Sequence, residues 1–162
     1  MKWNNLFMNL VYLVAAKSKD ESTHVGAVIV DSQNRIVSCG YNGMPRGTLD
    51  MIPEKQERPQ KYFWMVHAEL NSILNAARSV EGCRMYTNGV PCAECAKAII
   101  QSGIRKVIVD EDWEKRSKEL WGDKWEKSQE VTRRMFREAD VNLVETSFEK
   151  VSIHKYMRGE KF

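Results

Sequence analysis

Apolar residues recur along the chain at two spacings, and each spacing predicts a different kind of element. Near the N-terminus they recur every three or four positions, which predicts an amphipathic helix. These residues are Trp3, Leu6, Phe7, Leu10, Val11 and Val14. The apolar run 25–30 and the short run 36–39 flank a polar turn, so they predict a β-hairpin.

The second half of the chain alternates between helical and extended patterns. Helical spacing resumes near His67 and places Leu70, Ile73, Leu74 and Ala77 on one face. Residues 84–87, 92–102 and 106–109 then read as strand, helix and strand, a βαβ unit with parallel strands. A helix near 129–139 and a strand over 141–144 complete the pattern. The fold class predicted is α/β, a three-layer α/β/α sandwich around a mixed five-stranded sheet.

Two stretches lack these patterns, residues 40–61 and residues 111–127. Loops of that length in a compact domain are usually functional. The second stretch is charged and carries Trp113, Trp121 and Trp125, and we expect it to be an insertion. Trp121 and Trp125 are more simply explained by packing on the last helices than by stacking on a base. We expect one domain over 1–162 with a short tail after 151, where His154 is expected at the surface.

Composition and charge narrow the class of protein. The chain has 162 residues, of which 43% are hydrophobic and 29% charged, as in ordinary globular proteins. A net charge of +3 is too small to indicate nucleic-acid binding, although it suits a small anionic ligand. The apolar stretch 6–16 could resemble a signal peptide. Its helical spacing favours a core helix, and it is shorter than the roughly 20 residues of a membrane span.

The four cysteines are Cys39, Cys83, Cys92 and Cys95. An even number can indicate disulfides in a short secreted chain, but Cys-x-x-Cys in a reducing compartment more often binds metal or is redox-active. We expect Cys39 and Cys83 to be small buried side chains. We also expect a cytoplasmic protein (in the host cytoplasm if the source is a virus) with no membrane partner.

The candidate chemistry lies in two short motifs, His67-Ala-Glu69 and Pro91-Cys-Ala-Glu-Cys95, and each opens a predicted helix. Two cysteines three positions apart on a first helical turn lie on the same side, so both sulfurs can reach one ion. With His67 they give zinc three protein ligands and leave the fourth position for water, as in catalytic sites.

Such a site supports hydrolytic deamination. Zinc can lower the pKa of water to roughly 7. Glu69 stands beside the metal without being needed to bind it, so it can carry protons to the ring nitrogen and to the leaving amine. His-x-Glu followed by Pro-Cys-x-x-Cys is the signature of zinc deaminases. The alternatives are a structural zinc site, a chance match of the motifs, and a catalytically silent zinc-binding or nucleotide-sensing module. The presence of Glu69 argues against the silent module, which has no need of a proton shuttle.

Four segments, two of which contain these motifs, resemble the deoxycytidylate (dCMP) deaminase family, and the resemblance runs from about residue 6 to 145. They are His24-Val-Gly-Ala-Val-Ile-Val30, Gly40-Tyr-Asn-Gly-Met-Pro-Arg-Gly47, His67-Ala-Glu-Leu-Asn-Ser-Ile73 and Pro91-Cys-Ala-Glu-Cys-Ala-Lys97. Nucleoside cytidine deaminases usually have Cys at the position of His67. The resemblance implies a cytidine deaminase-like fold, one catalytic Zn²⁺ per subunit, and hydrolysis of dCMP to dUMP for thymidylate synthesis.

The resemblance also implies regulation and specific ligand contacts. It implies a homo-oligomer, often a hexamer, activated by dCTP and inhibited by dTTP, with Mg²⁺ accompanying these triphosphates. Asn42 is expected to bond the sugar and Val25 to pack on the pyrimidine, with Thr23, His24 and the backbone of Ala68 nearby. For the phosphate we expect Trp113 or Lys115. The effector residues implied are Tyr41, Gly43, Met44 and Arg46. Deamination of another cytosine nucleotide or nucleoside, of an amino-purine, or of tRNA adenosine remains the alternative.

Overall fold

A mixed five-stranded sheet lies at the centre of the computed structural model, which describes residues 1–50, 52–151, 156–157 and 160–161. Its strands are β1 (Gly26–Val30), β2 (Ile36–Tyr41), β3 (Arg84–Thr87), β4 (Lys106–Asp110) and β5 (Asn142–Thr146). They lie in the order β2-β1-β3-β4-β5, with β1 antiparallel to both neighbours and β3, β4 and β5 parallel. The tail adds the short pair β6 (Tyr156–Met157) and β7 (Glu160–Lys161). His154 lies outside the described residues.

Helices cover both faces of the sheet, as the sequence predicts. In chain order they are α1 (Trp3–Ala15), α2 (Pro53–Gln56), α3 (Lys61–Trp64), α4 (Ala68–Leu74), α5 (Ala93–Gln101), α6 (Glu111–Trp121) and α7 (Glu126–Glu138). The α1 helix packs on one face through Phe7, Met8 and Val11. On the other face α4, α5 and α7 share one apolar cluster with the strands. The three-layer α/β/α prediction is therefore confirmed.

The strands divide their side chains between these two layers because successive residues of a strand point to opposite faces. Val28 and Val30 of β1 meet α1, whereas Ala27 and Ile29 meet the opposite layer. All five residues of β1 are buried, since helices cover both of its faces. This explains why β1 is apolar without interruption in the sequence.

The prediction of the buried face of α4 is wrong for its last turn, where Leu74 is 70% exposed and Ala77, just beyond the helix, is also exposed. The helix instead turns Ala68 and Ser72 inward. A Cβ on Gly40 of β2 would lie 2.4 Å from the backbone nitrogen of Ser72, so helix and strand are in close contact. Only small side chains fit such an approach, and this excludes a leucine from the interface.

The two stretches without periodicity contain short elements. Residues 40–61 include α2, and α3 begins at their end. Residues 111–127 form α6, the 3₁₀ turn Gly122–Trp125 and the start of α7, which begins three residues earlier than predicted. Asp110 begins α6 by accepting a hydrogen bond from the amide of Asp112 at 3.0 Å, an N-cap.

The cysteine expectations are met at one of two positions, because Cys83 is buried whereas Cys39 is exposed on the edge strand β2. Across the described residues, none of the helices combines the length and apolar character that a membrane crossing requires.

Candidate active site

The two motifs meet at the starts of two neighbouring helices. His67 and Cys92 are the extended residues that immediately precede α4 and α5. The chain entering α4 is held by paired backbone hydrogen bonds between Val66 and Gly43, of 2.8 and 3.1 Å. The first amide of α5, that of Ala93, donates to Ser128 of α7 at 3.0 Å. Both helix starts are thus anchored by contacts distant in sequence.

The ligand atoms of His67, Cys92 and Cys95 lie within 4.8 Å of one another. His67 Nδ1 is 3.4 Å from Cys92 Sγ and 3.5 Å from Cys95 Sγ. A tetrahedral zinc ion with metal–ligand distances of about 2.0–2.3 Å would separate a nitrogen from a sulfur by about 3.6 Å. The group therefore fits zinc in both donor type and spacing, with Nδ1 as the histidine ligand.

Hydrogen bonds within this group redistribute charge toward the sulfurs. The bond with Cys92 raises the pKa of His67 to about 9, although burial acts in the opposite direction. Hydrogen bonds from Cys95 and His67 bring the pKa of Cys92 far below that of a free thiol. The bond to Cys92, together with burial, raises the pKa of the Cys95 thiol. These shifts favour a thiolate at Cys92, and a divalent cation binding here displaces the remaining protons from the ligand atoms.

Glu69 lies in the first turn of α4 and is only 6% exposed. Its Oε2 atom is 3.7 Å from Cys95 Sγ, so the carboxyl borders the ligand group without belonging to it. Burial raises the pKa of Glu69, and the positive charge of His67 partly opposes this. A carboxyl with a raised pKa can both accept and return a proton near neutral pH.

A cavity of about 980 Å³, its open mouth included, extends from this group to the surface. Its inner part combines His67, Cys92 and Glu69 with the apolar side chains of Val25 and Val90. Thr23, Asn42, Ala68 and Trp113, all expected near the ligand, also line it. The structure therefore collects most of the expected substrate contacts around the metal group.

Asn42 organises the chain that enters β1. Its Oδ1 atom accepts from the amide of Val25 at 2.8 Å, and its Nδ2 atom donates to the carbonyl of Thr23 at 2.8 Å and to Asp20 at 3.3 Å. Both amide hydrogens are thereby used, whereas Oδ1 keeps a second lone pair. A sugar hydroxyl that contacts Asn42 must therefore be the donor.

A buried ion pair between Lys61 and Asp20 holds Asn42, which donates a hydrogen bond to Asp20. Lys61, 5% exposed, places its ammonium 2.8 Å from both carboxylate oxygens of Asp20 and 2.6 Å from Ser22 Oγ. Burial acts against the carboxylate, yet the contacts from Lys61 and Ser22 hold the pKa of Asp20 below its usual range. The positive charge of Lys61 is thus neutralised although it lines the cavity.

Arg58, Tyr62 and Lys124, which we call the mouth cluster, line the exposed end of the cavity. Arg58 Nε donates to the Tyr62 hydroxyl at 3.0 Å, and Lys124 Nζ donates to it at 2.5 Å. The Tyr62 ring also meets the ring of Trp125 edge-on, with centroids 6.3 Å apart. Residues of α3 and of the 3₁₀ turn thus meet at one side of the mouth.

The remaining expected contacts lie elsewhere in the described structure. Lys115 pairs with Glu111 at 2.5 Å on the exposed side of α6 and is not among the residues that line the cavity. His24 borders a different depression, between α1 and α6. The expected effector residues Tyr41, Gly43, Met44 and Arg46 also lie off the lining, and Arg46 bonds Asn75 at the end of α4.

Sequence reasoning missed several lining residues. Arg58, Lys61 and Tyr62 lie at or beside the end of the first unpatterned stretch, and Lys124 lies in the second. Trp121 and Trp125, for which packing on the last helices was the simpler expectation, line the cavity as well. The sequence did indicate that these two long unpatterned stretches are functional, since loops of that length in a compact domain usually are. That signal does not say which charged or aromatic side chain turns inward.

Comparison with known proteins places this site in a family context. Residues 1–111 match the model of the cytidine and deoxycytidylate deaminase zinc-binding region. The chain is 42% identical over 151 residues to deoxycytidylate deaminase of Mus musculus, covering 88% of this chain and 79% of that protein. It is 36% identical over 158 residues to deoxycytidylate deaminase of Enterobacteria phage T4, covering 72% of this chain and 81% of that protein.

The fold has solved counterparts too. The crystal structure of dCMP deaminase from the cyanophage S-TIM5 in complex with dCMP and dUMP superposes with a TM-score of 0.65 at 20% identity. That superposition covers 90% of this chain and 99% of the other. At this identity the likeness supports the architecture, a five-stranded sheet between helices.

Proposed function

Because the chain belongs to the family of cytidine and deoxycytidylate deaminases, we propose that it hydrolyses dCMP to dUMP and ammonia and so supplies dUMP for thymidylate synthesis. The observation that carries the proposal is the group of His67, Cys92 and Cys95 with Glu69 buried beside it, inside one cavity. Three protein ligands are typical of a catalytic zinc site rather than a structural one.

The chain's residues hold the metal and move the protons. His67 Nδ1 and the two sulfurs would hold zinc, which when bound supplies a water acidified to a pKa near about 7. The Glu69 carboxylate accepts a proton as the C4–O bond forms and delivers it to N3 of the cytosine. It then carries a second proton to the amine, so that the C4–N bond breaks and ammonia leaves. The sum is dCMP and water giving dUMP and ammonia.

The cavity wall orients the substrate for this transfer. Val25 and Val90 offer an apolar surface to the pyrimidine, and the backbone of Ala68 and the side chain of Thr23 lie beside it. The sugar hydroxyl donates to the second lone pair of Asn42 Oδ1. Because Asn42 is held by Thr23, Val25 and Asp20, it presents that lone pair without reorganisation.

We also propose control by dCTP and dTTP, with Mg²⁺ bound to these triphosphates, at a site that includes Tyr41, Gly43, Met44 and Arg46. The separation of these residues from the cavity supports a site distinct from that of the substrate. We further propose a homo-oligomer, a hexamer, as the resemblance to the deoxycytidylate deaminases implies. We propose a cytoplasmic location, which the absence of disulfide bonds among the four cysteines supports within the described residues.

Ammonia release tests the function. The zinc-loaded protein is assayed with dCMP, deoxycytidine, dCTP, adenosine and guanine, with and without dCTP or dTTP in the presence of Mg²⁺. We expect dCMP to have the highest kcat/KM, dCTP to raise activity and dTTP to lower it. Absence of activity on dCMP under every effector condition contradicts the proposal. Light scattering of the same samples measures the oligomer.

A further inference from the structure

Two cations without acidic partners converge on one neutral oxygen at the cavity mouth. Arg58 precedes α3, and Lys124 lies in the 3₁₀ turn after α6, yet both donate to the Tyr62 hydroxyl. Within the described residues, neither cation has a carboxylate oxygen within 4.0 Å. Other cations near the cavity are paired, Lys61 with Asp20 and Lys115 with Glu111.

This arrangement favours negative charge at the position of the Tyr62 oxygen. Partial burial acts in the other direction, but Lys124 and Arg58 together lower the pKa of Tyr62. A guanidinium and an ammonium that meet on one oxygen are the donors proteins use for phosphate. The Trp125 ring packs edge-on against Tyr62 and so fixes the position of the ring that carries this oxygen.

The cluster also lies where a nucleotide would carry its charge. The metal group and Glu69 occupy the buried part of the cavity, and the mouth cluster occupies its exposed end. A cytosine with its amine at Glu69 points its sugar and 5′ substituent away from the metal. The chain from Tyr62 through Met65 to His67 borders the same cavity and joins the two ends.

We propose that Arg58 and Lys124 bind the 5′-phosphate of the substrate, exchanging the Tyr62 hydroxyl for phosphate oxygens, and so select the nucleoside monophosphate over the free nucleoside. This inference rests on the proposed function and adds to it which residues recognise the phosphate. It replaces Lys115, which lies on the outer side of the same segment, with Lys124.

Charge-removing variants test the selection. Arg58→Gln, Lys124→Gln and the double variant are compared with Lys127→Gln, an exposed lysine that does not line the cavity. Each single variant should lower kcat/KM for dCMP about tenfold and the double variant about a hundredfold, mainly through KM. kcat/KM for deoxycytidine should stay within about twofold, and Lys127→Gln should leave both values unchanged.

Two outcomes overturn the proposal: an unchanged kcat/KM for dCMP in the double variant, or an equal loss for dCMP and deoxycytidine, which would assign the cations a structural role. Calorimetry of dUMP and deoxyuridine binding to the zinc-loaded protein provides a separate readout. We expect the wild type to prefer dUMP and the double variant to lose that preference. Inactivity of the wild type on dCMP would reject the proposed function, whereas the binding comparison would still decide on this subsite.

Discussion

The Glu69 carboxyl is buried and lies in direct contact with the metal-binding group. Burial of a carboxyl disfavours its charged form, and nearby positive charge restores it. The pKa of Glu69 is raised because burial is the larger effect and the charge of His67 offsets only part of it. Because its pKa is raised, the Glu69 carboxylate can accept a proton and then return it.

Replacing Glu69 with glutamine should strongly reduce turnover without loss of metal. An amide keeps the size of the side chain but cannot transfer protons, so ammonia release from dCMP should fall by about 100-fold to 10,000-fold. Metal analysis should still find one zinc per chain. The control is Glu94→Gln, an exposed glutamate on α5, which should behave as wild type. Normal turnover in Glu69→Gln would refute the assigned role.

Cys92→Ala should lose zinc and stability together, because binding energy at the site also stabilises the folded state. When zinc is present at a thousandfold excess over its Kd, loss of zinc binding removes about 4 kcal/mol from the free energy of unfolding. In a chain of this size that lowers the melting temperature by about 8–16 °C. Removal of zinc by a chelator should lower the melting temperature of the wild type but not that of Cys92→Ala. Cys39→Ala, which removes an exposed thiol, is the control and should respond as the wild type does. A Cys92→Ala protein that keeps zinc and its melting temperature would contradict the ligand assignment.

The α6 helix forms one wall of the cavity. Its residues Trp113 and Glu114 contact the segment that precedes Cys92. Glu114 accepts a hydrogen bond from the amide of Val90 at 2.6 Å and another from Gln129 at 3.1 Å. The Trp113 ring lies against Gly89, where a Cβ would be 2.5 Å from the nearest ring carbon. Gly89 therefore allows α6 to lie directly over the connection that leads into Pro91 and Cys92.

Gly89→Ala should displace α6 and disturb the cavity. The added methyl group overlaps both Trp113 and Glu114, so we expect a loss of about 1–3 kcal/mol in the free energy of unfolding and a lower kcat/KM for dCMP. The matched control is Gly43→Ala, whose Cβ would meet nothing closer than a Tyr41 ring carbon at 3.6 Å. Urea unfolding monitored by tryptophan fluorescence should separate the two variants. Equal stability would show that α6 is not held at Gly89.

At the scale of the whole molecule, one buried carboxylate joins separate elements through contacts that include two exposed arginines. Asp31, at the turn between β1 and β2, accepts from the amides of Gln33 and Arg35 and from the side chains of Arg35 and Arg78. Arg78 lies in the connection between α4 and β3, so one carboxylate joins the hairpin to the next layer. These contacts, those of Arg35 first, hold the pKa of Asp31 well below its usual range.

Asp31→Asn should therefore change how global stability depends on pH. A carboxylate with a depressed folded pKa stabilises above its unfolded pKa of about 3.9, and the contribution is lost as pH falls through the folded value. We expect the variant to be less stable at pH 7 and its stability to fall less steeply below about pH 4. Urea midpoints from pH 7 to 2 measure this, with the exposed Asp123→Asn as the control. Parallel curves for wild type and Asp31→Asn would contradict it.

Local patterns were sufficient for the element types and for the metal group. The strand runs and most helices are predicted because burial imposes their periods directly on the sequence. The predicted α4 face was wrong only at its last turn, because contact with Gly40 of β2, a residue distant in the chain, turns the small residues Ala68 and Ser72 inward. Likewise α3 and the start of α7 at Glu126 have little apolar spacing of their own, and residues of both helices line the cavity.

By itself the sequence determined the order of elements, the α/β/α architecture and the residues able to hold zinc, since these follow from short-range spacing and side-chain chemistry. Only the tertiary structure decided how those pieces combine. It brought His67 within 3.4 Å of Cys92, turned Asn42 toward Val25, and paired Lys61 with Asp20 while leaving Arg58 and Lys124 on Tyr62. Which of several cations is neutralised and which is available to a ligand depends on contacts between segments far apart in the chain, and spacing along the sequence carries no record of them.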